Sequence, residues 1–563
     1  MTTDAHHPVA GRNRDFLRPP SVSERLDSFR RAHAHTRLVT HLKYALPAIS
    51  VCILGLYFIS PQIQVSIGDL DASVAGIVIE KGNLRMVNPK LEGVNDKQGT
   101  YVVTAKYAEQ TVSNPDIIRL TELSSELVDS KKGWSRLTSP KGSFETKTER
   151  LALAGDIHVA QSNGMTAALT SADVDMKTQL VTSSQPVRVN FPDGTLDSLT
   201  MRIELDTKQA TFKGDVRVHL DRQQKQAPPK PGEQAAQGLA GAFRNDAPVD
   251  IASPRLTIYD EKKLAHFEGG VTTVQAGSRM TATEMKVYYS GDPASGETSS
   301  TSGAGGGNKL KWIDVTGDVR INAEDGRSAS ASKLTYDALK QQLVLDTGVV
   351  LSQGSNVLKG AKMVSDLATG ITRFPPLERV RGHFEPAVDE STPASAEPTP
   401  APAEGTTHLD LSSTKGKPID IESDSLTIDD KQHVAVFHGK VKAIQGTMTM
   451  RSSKLDVRYS GKEGTGETTG EGSRITSIRA EGRVLINTAD DQATTSDWAF
   501  FDAARQTVTI GGNVVLSQGD NVIKGDQLVI DLKTNRSRFV NQGDPSTRKR
   551  VRGLFMPRQS DAQ

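Results

Sequence analysis

Titratable and nucleophilic side chains are plentiful in this chain but rarely grouped. Of its 12 histidines, His6, His7, His33, His35 and His41 crowd the first stretch, and the others are scattered without metal-ligand spacing. His33 and His35 form a His-x-His pair within an Arg-rich polar run, which reads as a solvated tail. The single cysteine, Cys52, excludes a disulfide framework and any multi-cysteine metal site. From Gly464, GTGETTGEG has the glycines of a phosphate loop, but no Lys-Ser/Thr follows and no buried strand and helix flank it, so it reads as a loop. There is no nucleophile elbow and no unrepeated carboxylate pair of the kind that cleaves glycosidic bonds. Asp337 and Asp502, and the amides of Gln353 and Gln518, recur once per repeat beside a turn, which points to a structural role. What the chain offers in quantity is apolar surface, so the elements that carry it matter most.

Those elements are duplicated. Gly348 to Gly360, GVVLSQGSNVLKG, returns as Asn513 to Gly525, NVVLSQGDNVIKG. Ile251, Leu256, Ile258, Phe267, Gly269, Val271, Gln275, Met280, Val287 and Tyr289 return as Ile421, Leu426, Ile428, Phe437, Gly439, Val441, Gln445, Met450, Val457 and Tyr459. Ile313, Gly317, Val319, Ile321 and Asn322 return as Ile478, Gly482, Val484, Ile486 and Asn487, and RVRGHFEP from Arg379 returns as RVRGLFMP from Arg550. Two tandem copies of one unit therefore fill the second half of the chain.

From about Gly68 the hydrophobic period is two. Leu151, Leu153, Gly155, Ile157 and Val159 alternate with polar residues, as do Phe212, Gly214, Val216 and Val218, and Leu528, Ile530 and Leu532, which predicts half-buried antiparallel strands. A local unit recurs: an apolar residue, any residue, Gly, any residue, then Val or Ile. Its glycines are Gly155, Gly214, Gly269, Gly317, Gly439, Gly482 and Gly512. Each shares a face with its apolar neighbours, so each strand lacks a side chain where the sheet can bend or bulge. Bending at one depth in strand after strand predicts a curled double layer, a trough with an apolar inside.

Composition narrows the class. A net charge of +1 over 563 residues and 5% aromatics argue against a nucleic-acid surface, and 24% charged residues fit soluble modules rather than many membrane spans. One span is expected. Residues 1–41 read as a basic tail, and residues 42–60 contain LKYALPAISVCILGLYFI, roughly 27 Å of helix against a ~30 Å hydrocarbon core. Arg12, Arg14, Arg18, Arg25, Arg30, Arg31, Arg37 and Lys43 put the amino terminus in the cytoplasm, with the rest of the chain exported. A cleaved signal peptide fits less well, since its n-region would be too long and SPQIQVS lacks a small-x-small site. Pro/Ala/Gly-rich linkers at 223–243 and 387–416 separate expected units at 64–222, 244–386 and 417–557.

Open β-units leave unpaired strand edges at both ends, which favour end-to-end pairing with a like module. A trough running through units joined in this way would offer an alkyl chain a continuous apolar path, with about 0.8 kcal/mol gained per buried methylene.

At this point the chain resembles the lipopolysaccharide-transport bridge proteins of the LptC and LptA (OstA-like) family. IDIESDSLTIDDKQHVAVFHGKVKAIQGTMTMRSSKLDVRYSG from Ile419, GNVVLSQGDNVIKGDQLVIDLKTNRSRF and the RVRGLF end are similar to an LptA-type domain. MVNPKLEGVNDKQGTYVVTAKYAEQ from Met86 and TLDSLTMRIELDTKQATFKGDVRVHL from Thr195, after one anchor, are similar to LptC. The resemblance implies an all-β protein of three tandem open β-jellyroll domains after one transmembrane helix, an LptC-like part and two LptA-like parts, with no catalysis and no cofactor. It implies as partners lipopolysaccharide, an inner-membrane ABC transporter that supplies the energy, and an outer-membrane translocon jellyroll or further LptA-like units. Carried over by position, the lipid-lining candidates are Ile258, Phe267, Val271, Met280, Val287, Ile313, Val319 and Ile321, with Ile428, Phe437, Val441, Met450, Val457, Ile478, Val484 and Ile486 in the second copy. Each fits plain sandwich core equally well, and a structural β-solenoid scaffold with a dry core stays open as the other reading. Arg379 and Arg381, and Arg550 and Arg552, fit either lipid A phosphates or charge protection of an edge strand.

Overall fold

A computed structural model describes residues 65–67, 70–73, 76–80, 83–95, 99–128, 133–221, 247–290, 309–324, 326–385, 417–460, 474–488, 491–534, 536–540 and 550–556. The expected basic tail, the anchor at 42–60 and both linkers lie outside the described residues. Among the described residues every regular element is a strand, and no helix is long and apolar enough to cross a membrane. The chain divides into two compact units at Ser73/Val74. In the first, Val65–Ile67 and Leu70–Ser73 pair as a hairpin.

The second unit holds one antiparallel ladder, unbroken from Asn114–Val128 to Arg552–Leu554. Its strands obey the predicted alternation because one parity is buried. In Gln209–Leu220, Phe212, Val216 and Val218 are buried, while Lys213 and Arg217 face outward. The ladder also bridges both linkers. Gln209–Leu220 pairs along its length with Val249–Tyr259. Ile371–Phe374 and Val380–Phe384 pair with Ser425–Asp429 and Ile419–Ser423.

Each long strand bends near its middle. All seven predicted glycines sit at a register shift, for example between Lys213 and Val216, Glu268 and Val271, and His438 and Val441. At Gly439 φ is +83°, and a Cβ built there would lie 2.6 Å from Asp424 Oδ2, in the bend between Ile419–Ser423 and Ser425–Asp429, so a side chain is disfavoured on two counts. Thr347–Gly348 makes an eighth bend, with φ +66° and +69°, at the place where the second copy has Gly512–Asn513.

Serines cap several of the facing bends, a feature the periodicity did not announce. Ser139, Ser198, Ser253, Ser423, Ser452 and Ser496 are buried, and each hydroxyl donates to the carbonyl two residues on, at 2.8 to 3.2 Å. A bend interrupts the ladder pairing, and the serine hydroxyl supplies a donor to a carbonyl there. The bends together form a seam, and each strand sends one arm to either side of it.

Candidate functional site

The inward residues of the two arms form one hydrophobic cluster, and all sixteen candidates belong to it. They fall into three groups. Phe267, Val271, Val319, Phe437, Val441 and Val484 flank the seam and are at most 3% exposed, packed by the protein itself. Met280, Ile321, Met450 and Ile486 lie in a row on one arm, linked by Met280 opposite Ile321 and Met450 opposite Ile486. Ile258, Val287, Ile313, Ile428, Val457 and Ile478 lie in a row on the other arm.

That last row is continuous in register. It runs Phe144, Leu151, Val174, Val181, Ile203, Ala210, Ile258, Ala265, Val287, Ile313, Tyr336, Leu343, Ser365, Thr372, Ile428, Ala435, Val457, Ile478, Phe501, Val508 and Ile530, each opposite the next. Two hydroxyl residues, Ser365 and Thr372, interrupt it where the ladder crosses the second linker. On the other arm the corresponding row thins to Gly382, between Leu358 and Ile421.

A cavity of about 210 Å³ lies at this joint, lined from both arms. Leu351, Leu358 and Phe384 come from one arm, and Met363, Ser365, Thr372 and Ile428 from the other. It exists because small side chains stand where aliphatic ones stand elsewhere in the row. Of the sixteen candidates only Ile428 lines it. Leu351, Leu358 and Met363 were missed, although the first two belong to the duplicated GVVLSQGSNVLKG stretch and share its inward parity.

The rim is polar and its groups have structural jobs. Gln275 Nε2 donates to the Ala247 carbonyl and Gln445 Nε2 to that of Lys417, both at 3.1 Å, fastening the first strand of each copy. Asn356 Oδ1 accepts from the Glu385 amide and Asn521 Oδ1 from that of Met556, at 2.8 and 3.0 Å, fastening the last. Asp337 Oδ1 caps the Leu339 and Lys340 amides, and Asp502 Oδ1 the Arg505 amide, in line with the turn role expected of them.

Arg327 and Asp430 line the cavity. Burial pushes the Asp430 carboxyl up, opposed by the Tyr459 hydroxyl 3.5 Å away and by the Arg327 charge, and burial likewise raises the Tyr459 phenol. Among the described residues no His/Cys/Asp/Glu group is placed to hold a metal ion. The chemistry on offer is apolar enclosure with a polar margin.

Arg379 and Arg381 require a correction. Neither protects a free edge: Arg379 Nη1 reaches Asp424 Oδ1 at 3.1 Å, and Arg381 Nε lies 3.4 Å from Glu422 Oε1, both across the second joint. The edge that they would have shielded is already occupied by the next strand, so the charges knit the joint.

Residues 86–221 match the family model "Lipopolysaccharide-assembly, LptC-related", and residues 250–371 and 420–536 match "LptA/(LptD N-terminal domain) LPS transport protein". An uncharacterized protein of Rhizobium meliloti (strain 1021) is 35% identical over 147 residues, 25% of this chain and 77% of that protein. The lipopolysaccharide export system protein LptA of Escherichia coli (strain K12) is 29% identical over 147 residues, 25% of this chain and 73% of its own. LptH of Pseudomonas aeruginosa is 25% identical over 157 residues, 27% of this chain and 85% of its own. A crystal structure of that LptH, the LptA-homologous periplasmic component, aligns over 26% of this chain and 99% of its own at 17% identity, with a TM-score of 0.22.

Proposed function

Because the chain belongs to the LptC/LptA family of lipopolysaccharide-transport proteins, we propose that it carries lipopolysaccharide across the periplasm with the acyl chains held between its two arms. In this reading three tandem β-jellyroll units, at 64–222, 244–386 and 417–557, hang from one inner-membrane helix at 42–60 and form a bridge. Lipid enters from an inner-membrane ABC transporter and leaves toward an outer-membrane jellyroll. No covalent step occurs, and the partner ATPase supplies the energy.

The observation that carries this proposal is the inner row from Phe144 to Ile530, which runs in register through both linker joints, apolar except where Ser365 and Thr372 interrupt it beside the cavity at the second. A twelve-carbon chain buried along such a path gains roughly 10 kcal/mol, enough to hold a lipid against water without a covalent bond.

The seam supports a second reading, a scaffold with a dry core, since Phe437, Val441 and Val484 leave no space around them. Placing a photoreactive residue at Ile428, Leu351 or Met363, and at the outward Lys359 as control, separates the two. Lipopolysaccharide adducts at the three inward positions and none at Lys359 are expected. Adducts only at Lys359, or none anywhere in cells that export lipopolysaccharide, favour the scaffold.

A further inference from the structure

Two aliphatic hydroxyls stand side by side in the interior at the second joint. At the first joint Ile203 and Ala210 precede Ile258 in the inner row, each opposite the next; at the second, Ser365 and Thr372 precede Ile428 in the same order. In the second copy the equivalent pair is Ile530 and Ser537. Ile530 is fully buried there, so the fold accepts an aliphatic side chain in the place of Ser365. The backbone does not require the hydroxyl pair.

Nor does the pair satisfy itself. Ser365 is 8% exposed, and its hydroxyl and that of Thr372, 2.9 Å apart, have only each other as hydrogen-bond partners among the described residues. Two O–H groups sharing one mutual bond leave one hydrogen and several lone pairs unused. Elsewhere the interior also keeps hydroxyls that nothing in the described chain meets. Ser537 Oγ is buried without a partner, and so is Thr494 Oγ1, in a side chain 1% exposed where the first copy has Ala329. Each such group costs stability. At the second joint, open space lies beside the hydroxyls: Ser365 and Thr372 line the cavity together with Leu351, Leu358, Met363 and Ile428. Arg327 and Asp430 line its outer end. Asp430 is two residues beyond Ile428, which faces Thr372, so the hydroxyl pair lies roughly 7 Å inward of it.

We propose that Ser365 and Thr372 select, among acyl chains, those that carry a hydroxyl close to the head group. A hydroxyl on the chain can accept from the unused O–H and donate to the other oxygen of the pair, which satisfies all three groups. A plain methylene chain in the same place seals that O–H against hydrocarbon and takes it from water without replacement. An amphiphile whose polar head meets Arg327 and Asp430 presents the first few carbons of its chain at this depth, and the remainder lies against Leu351, Leu358 and Met363. The inference rests on the lipid-carrying reading and adds which chains the joint prefers.

The test uses the full chain in amphipol and two photoreactive probes, dodecanoate with a terminal diazirine and its β-hydroxy counterpart, with labelled residues mapped by mass spectrometry. The β-hydroxy probe should label Leu351, Leu358 or Met363 with a half-saturating concentration roughly five- to tenfold lower than the plain one. Ser365→Ala together with Thr372→Val should erase that difference while leaving labelling by the plain probe at least as strong, and Ser365→Thr should keep the difference. Ser365→Ile, which fills the cavity, should abolish labelling by both. Equal half-saturation in the unaltered chain, a preference that persists in the double variant, or labelling of the cavity by neither probe overturns the proposal; the first and last of these need no variant to fold. The probes contain no lipopolysaccharide, so the two readings fail separately. Equal labelling with lipopolysaccharide adducts intact at Ile428 removes the selectivity and keeps transport, whereas a β-hydroxy preference without such adducts keeps the selectivity and removes transport.

Discussion

The Ser365 hydroxyl lies 2.9 Å from Thr372 Oγ1, and this pair interrupts an otherwise apolar row at the joint where the cavity opens. In the second copy the Ser365 position is Ile530, fully buried. Replacing Ser365 by Ile should therefore fill the cavity with a side chain the fold already accommodates. We expect a gain in stability of about 1–2 kcal/mol from the added methylenes, read by denaturant unfolding, together with loss of most lipopolysaccharide adducts at Ile428. Unchanged adducts would place the lipid elsewhere.

The seam imposes a different constraint. Gly439 has a positive φ and no room for a Cβ beside Asp424. Gly439→Ala should cost roughly 1–3 kcal/mol, and Ser423→Ala, which removes the donor to the Ser425 carbonyl, a similar amount. Chemical denaturation of both variants measures this. A neutral Gly439→Ala would mean the bend tolerates a side chain and is not set by glycine.

Acid should loosen the turns on the arm opposite the amide rim. Backbone amides donated by residues two or three positions on hold the Asp175, Asp337, Asp366 and Asp531 carboxyls below their usual range. A lowered folded pKa gives stability that is complete above the unfolded value of about 3.9 and is lost as pH falls through the folded value. Unfolding midpoints measured from pH 6 down to about pH 2 should drop, and the fourfold Asp→Asn variant should show a flatter profile.

The first joint should respond in the opposite sense. Hydrogen bonds to Asp250 and then Asp221 raise the His219 imidazole above its ordinary value. Its contribution is complete below about pH 6.5 and is lost as pH rises through the raised value. Limited proteolysis of the 221–249 connection should be slower at mildly acidic than at alkaline pH, and His219→Asn should remove the difference. The group is exposed, so the effect is expected to be small and sensitive to salt.

Much of the architecture was legible because it is local. Alternation with period two places one parity inside whatever the neighbour is, and a glycine on that parity marks the bend, as Gly155, Gly269 and Gly482 each show. Asp337 and Asp502 could be assigned to turns for the same reason: their partners are three residues or fewer away. The serine caps were visible in principle, since Ser253 and Ser423 recur between copies, but their meaning depends on a bend that only the backbone reveals.

Other questions could not be answered from pattern. Phe437 and Ile428 are both inward and apolar, yet one is sealed at the seam and the other faces a cavity, because the space beside a residue depends on side chains contributed by strands on the opposite arm. Arg381 and Arg552 occupy the same place in the repeat, yet the first is paired across a joint and the second has no ion-pair partner among the described residues. The amino-acid sequence by itself determined which residues face inward, where the seven glycine-marked strands bend and which stretch repeats which, since those follow from backbone sterics and hydrophobic period over a few residues. Which strand lies next to which across the linkers, and therefore where the interior is filled and where it is hollow, was decided only when the ladder closed in three dimensions, because packing and pairing are properties of neighbours distant in the chain.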